Sequence, residues 1–105
     1  MTFAEQQRVA VVSTAHIRRE DDERLRAMAH DHRLHDDTRF IVAEYHGGYL
    51  VRVFDNPAQE AEEAAKPGLS EEAQALIRLA AEEGFHWLRL DRDGPEIGGL
   101  PTFDW

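Results

Sequence analysis

The chain reads as a single small α+β domain whose elements follow the order β-α-β-β-α-β. Three observations predict it. Short β-branched or aromatic runs stand near residues 9–12, 39–45, 49–54 and 85–90, and two amphipathic stretches of helical period fall between them. A Gly-Gly pair joins the second run to the third, the pattern of a tight hairpin. The 105 residues suffice for one domain (1–105) with a modest core, and the absence of cysteine removes disulfides and thiolate metal sites.

Each element has its own warrant. Val9-Ala10-Val11-Val12 is a buried strand ending in the polar turn Ser13-Thr14-Ala15-His16. From about Glu20 to His32, Leu25, Met28, Ala29 and His32 repeat at i, i+3, i+4, i+7, the stripe of an amphipathic helix. Glu20-Asp21-Asp22-Glu23 in its first turn complements the helix dipole. Arg39–Tyr45 and Tyr49–Phe54 flank His46-Gly47-Gly48 as a hairpin, and Asp55-Asn56-Pro57 breaks the second strand. Gln59–Lys66 is read as a short helical turn or a loop. Ser70 caps a second helix whose stripe is Ala73, Leu76, Ile77 and Ala80, stopped by Gly84. Phe85–Leu90 is the fourth strand, and 91–105 is an irregular tail rich in Gly and Pro. This order is that of the ferredoxin-like split βαβ arrangement, an antiparallel sheet with both helices on one face. Strands one and two are apolar on both faces, so the helix-free face calls for cover by the tail, a second subunit or a partner.

Charge is distributed unevenly. The chain holds 21 acidic and 12 basic residues for a net charge of −9, and residues 55–105, with twelve acids and four bases, carry −8 of it. Such a surface repels a phosphate backbone and attracts basic proteins, so direct nucleic-acid binding is not expected. Met1–Arg8 has no signal-peptide pattern and the apolar runs are too short to span a bilayer, so no membrane association and a cytoplasmic location are expected.

Two stretches carry a family resemblance. Val12-Ser13-Thr14-Ala15-His16-Ile17 before a charged helix is one. Leu88-Arg89-Leu90-Asp91-Arg92-Asp93-Gly94-Pro95-Glu96, continuing through Leu100-Pro101-Thr102-Phe103-Asp104-Trp105, is the other. Both resemble the DUF5983 family of small bacterial proteins, often carried on plasmids and other mobile elements. The resemblance brings no activity and no catalytic residue. It implies genomic company, because small accessory proteins of mobile elements often act on host machinery.

Chemistry-bearing clusters have ordinary readings beside the functional ones. His30, His32 and His35 with Asp31, Asp36 and Asp37 offer metal-ligand types, but His30 and His32 point to different sides of a helix. A solvated histidine-rich helix end explains them. Asp91-Arg92-Asp93-Gly94 opens like a calcium loop without its later ligands, and reads as a turn capped by Asp91 and Asp93 with Arg92 as neutralising neighbour. Ser13, Thr14 and His16 are too close in sequence for a triad and suit a polar connection. No metal, cofactor or catalytic residue is therefore assigned. Should a pocket exist, His16 at the end of the first strand and His86 on the fourth are the residues to inspect.

The functional expectation is a non-enzymatic, acidic protein-interaction module from a phage, plasmid or other mobile element. It would inhibit a host nucleic-acid-binding or defence complex, in the manner of an anti-CRISPR protein, by occupying a basic surface. Its partner would be a basic host protein or nucleoprotein complex, contacted by Glu60, Glu62, Glu63, Glu71, Glu72, Glu82, Glu83 and Trp105. The alternatives are a small-molecule-binding or enzymatic domain using His16 and His86, and a homodimeric structural or regulatory protein.

Overall fold

The computed structural model of the chain describes residues 3–30, 41–53 and 68–105. β1 (Val9–Ser13) runs into one 3₁₀ turn (Thr14–His16) and then α1 (Arg19–His30). β2 (Val42–Tyr45) and β3 (Gly48–Arg52) form the hairpin, and α2 (Glu71–Glu82) leads to β4 (Trp87–Asp91). Among the described residues the order of elements is the one the sequence predicts. The turn itself is His46–Gly47, with Gly47 at φ +116°, while Gly48 already pairs with Tyr45 in the ladder. Gly48 is required by space: a Cβ there would run into the carbonyl oxygen of Leu90 on the neighbouring strand.

The sheet order is β1-β4-β3-β2, with β1 parallel to β4 and the other two pairings antiparallel. This corrects the expected antiparallel ferredoxin-like sheet: the sheet is mixed, β4 lies inside, and β1 takes an edge. The reason lies in where α2 begins. Its N-cap residue, Ser70, bonds Asp21 in the first turn of α1, so both helices start at the same end of the sheet. α2 then runs back to the far end, where Val53 N donates to His86 O, and β4 re-enters in the direction of β1. The turn or loop expected over 59–66 lies outside the described residues.

Register sorts the side chains into two faces. Ala10, Leu88, Val51 and Val42 form one cross-strand row, and Val12, Leu90 and Tyr49 the next; these join one core with Leu25 and Met28 of α1 and Ala73, Leu76, Ile77 and Ala80 of α2. Both helices therefore cover this face. Complete burial of each such Leu, Ile or Val contributes about 1.5–3 kcal/mol. The other face carries Val9, Trp87 and Arg52 in one row and Val11, Arg89, Leu50 and Ala43 in another. It stays open, with Val9 and Val11 each 43 % exposed. The strand with the open apolar face is the one placed at the edge.

Candidate functional site

Asp21 ties the two helix starts together. It is 1 % exposed, and its carboxylate accepts from Ser70 Oγ at 2.6 Å, Ser70 N at 2.7 Å and Arg18 N at 2.9 Å. Ser70 Oγ in turn accepts from Ala73 N, the ordinary work of an N-cap. The acidic run of α1 thus does more than complement a dipole. Asp22 accepts the hydroxyl of the buried Tyr49 at 2.7 Å. Burial, and then that carboxylate, push the Tyr49 hydroxyl well above the usual tyrosine range.

His16 is the next fixed point, and it belongs to the tail. The ring is buried, its Nδ1 meeting Pro101 O at 2.8 Å while Nε2 accepts from Ile97 N at 2.8 Å. These two contacts assign the Nδ1-protonated neutral tautomer. Phe103 N donates to Ala15 O, Trp105 Nε1 donates to Ile17 O at 2.9 Å, and Arg18 stacks 4.5 Å from the Phe103 ring centre. The irregular tail is therefore seated across the 3₁₀ turn at the C-terminal end of β1, away from the helix-free face.

The pairing of His16 with His86 does not form. His86 precedes β4 and its Nδ1 accepts from Arg8 N, at the opposite end of β1 from His16. Parallel pairing of β1 and β4 separates the two rings by a strand's length, about 16 Å at 3.3 Å per residue. Ser13 behaves as the polar connection predicts, with Oγ accepting from Ala15 N as the cap of the 3₁₀ turn. Of the histidine-rich cluster, His30 lies among the described residues and bonds Glu44 at 2.8 Å; His32, His35 and their aspartates lie outside them.

Asp91 caps the turn as expected, whereas Asp93 contributes its backbone N–H, and the neutralising partner differs. Asp91 accepts from Asp93 N, from Tyr45 OH and from Arg89, and those bonds hold its carboxyl below the usual range. Arg92 points instead toward His46 on the hairpin turn, with Nη2 3.4 Å from its Nε2.

Two concavities flank the seated tail. The smaller, about 190 Å³, lies between α2 and the tail: Ala75, Leu76, Leu79, Leu100 and Pro101 form an apolar floor with Glu71 and Glu72 at its rim. Glu72 is engaged by Arg18 at 2.6 Å, while Glu82 and Glu83 stand exposed at the other end of α2. Glu60, Glu62 and Glu63 fall outside the described residues, so α2 holds the described part of the expected acidic contact set. The larger concavity, about 800 Å³, opens between α1, the hairpin turn and the tail. Asp22, Arg26, Glu44, His46, Arg92 and Trp105 are among its walls. Trp105 is both docked and available, its indole N–H bonded and half its surface exposed.

Sequence reasoning missed the groove, since its floor joins successive turns of α2 to a tail that has no periodicity. It also missed the cleft, whose walls come from three separated segments. Asp21 was findable in part: an acid three residues after a non-helical residue is the returning half of a capping box. No helix among the described residues is long and apolar enough to cross a membrane. No curated protein and no solved structure matches the chain. The model of the family of unknown function (DUF5983) C-terminal domain matches residues 9–105, which take in the seated tail, both helices and the whole sheet, and the chain belongs to that family.

Proposed function

We propose that the protein is a non-enzymatic acidic binding module that docks a basic protein segment on α2. The observation that carries this reading is the apolar groove rimmed by Glu71 and Glu72. Hot spots of protein association combine a desolvated apolar pocket with charges at its edge that select and steer the partner. A partner presenting an apolar side chain flanked by Lys or Arg matches both parts. The residues of α2 and its cap add Glu82 and Glu83; Arg18 pairs with Glu72 and Arg78 with Glu82, so among the described residues Glu71 and Glu83 carry the net negative charge of this surface.

The finer reading is that such a surface occupies the nucleic-acid-binding face of a host protein or defence complex, as an anti-CRISPR inhibitor carried by a phage or plasmid would. The charge of the second half supports it. The test is capture from a bacterial lysate by the intact protein and by a variant with Glu71→Lys and Glu72→Lys, at about 0.1 M and 0.5 M salt. Over that range the screening length falls from about 10 Å to about 4 Å. A basic protein retained by the native protein at low salt, and lost both in high salt and with the variant, is the expected result. A partner retained equally by the charge-reversed variant contradicts the proposal.

A further inference from the structure

The 800 Å³ cleft lies on the other side of the tail from the α2 groove and has a different chemistry. Its two carboxylates are already satisfied. Asp22 accepts from Tyr49 and Arg26, and Glu44 accepts from Arg26 and His30. The spare charge sits on the opposite lip. There Arg92 N donates to Gly47 O at 3.0 Å, fixing its backbone on the hairpin turn, and its guanidinium meets only the imidazole of His46 among the described residues. A guanidinium whose contact is a long one to a ring nitrogen gains from exchanging it for an anion, which it binds in a charge-assisted, bidentate manner.

The aromatic wall complements this lip. Trp105 is oriented by its bond to Ile17 O yet remains 50 % exposed, so a flat indole surface is held in place at low entropic cost. Fixed aromatic faces of this kind receive planar rings, and the cleft volume falls in the range of small-molecule sites, about 300–1,000 Å³.

We infer that this cleft binds an aromatic small molecule bearing an anionic group, the chemistry of a mononucleotide, with Arg92 and His46 holding the anion and Trp105 the ring. The inference is independent of the α2 reading and uses no residue of the groove. The experiment is a titration of the ¹⁵N-labelled protein with adenosine 5′-monophosphate, with adenosine and inorganic phosphate as ring-only and anion-only probes. Saturable shifts of the Trp105 indole N–H and of the His46, Gly47 and Arg92 amides are expected, with each half-probe binding more weakly. Arg92→Gln is exposed and is expected to keep the native spectrum while lowering nucleotide affinity about tenfold or more. Absence of saturable shifts at millimolar nucleotide, or equal affinity in R92Q, overturns the inference. Phosphate binding as tightly as the nucleotide also overturns it and marks an adventitious ion only.

Discussion

Replacing Asp21 by Ala removes the carboxylate that joins the start of α1 to the start of α2. It takes away acceptors from Ser70 Oγ, Ser70 N and Arg18 N, at 2.6, 2.7 and 2.9 Å. A hydrogen bond to a charged group contributes about 1.5–3 kcal/mol, which summed over the three would overshoot. Arg18 is exposed and Ser70 half-buried, so their released N–H groups recover water, and the variant is relieved of a buried carboxylate's desolvation. The net loss is expected at about 2–4 kcal/mol, below the simple sum of three hydrogen bonds to a charged group. Asp21→Asn keeps one amide oxygen as acceptor and should lose roughly half as much. Ser70→Ala alone should cost about 1 kcal/mol as a lost N-cap. Urea unfolding followed by far-UV circular dichroism gives all three values, and the Asp21/Ser70 double-mutant cycle isolates their coupling at about 1–2 kcal/mol. If Asp21→Ala is unfolded outright, the Asn variant still provides the comparison. A loss below about 1 kcal/mol for Asp21→Ala, or additive effects of the two substitutions, would refute the clamp.

Two further outcomes follow from the same contacts. His16→Ala leaves Pro101 O and Ile97 N without their partners; it should cost about 2–3 kcal/mol and speed amide hydrogen exchange over residues 97–105, whereas unchanged protection there would show the tail to be held by something else. Tyr49 keeps its proton in the folded state above the ordinary value of 10.0, because it is buried and bonded to Asp22. The unfolded chain gives that proton up first, so the group's stabilisation is intact below about pH 10 and drains away as pH rises through the raised folded value. Denaturant titrations above about pH 9 should show this decline in the native protein and a flatter one in Tyr49→Phe, and identical slopes would exclude Tyr49 as its source.

The legible part of the structure was the part written in local periodicity. The stripe Ala73, Leu76, Ile77 and Ala80, the cap at Ser70 and the glycine turn before Tyr49 each declare themselves within a few residues. Strand direction is not local. Whether β4 runs with or against β1 depends on the end of the sheet at which α2 starts, and that end is marked by the bond between Ser70 and Asp21, 49 positions apart. The same limit applies to the candidate surfaces. The acidic character of Glu71 and Glu72 is plain in the sequence, but the apolar floor beneath them needs Leu100 and Pro101 brought alongside Leu79. His16 drew attention as a reactive residue, and its two ring contacts show it spent on holding the tail. Arg92 was read as a partner of its neighbouring aspartates, yet Asp91 is satisfied by Tyr45, Arg89 and the N–H of Asp93.

The central claim, that α2 and the tail form the docking surface for a basic partner, is tested most directly by mapping the bound partner's footprint. The partner captured at low salt is added to the ¹⁵N-labelled protein, and amide shifts and line broadening are recorded residue by residue. The account predicts changes over residues 71–83 and around Leu100 and Pro101, reversed by salt. Changes confined to Val9, Val11, Leu50 and Trp87 on the helix-free sheet face, and insensitive to salt, would contradict it.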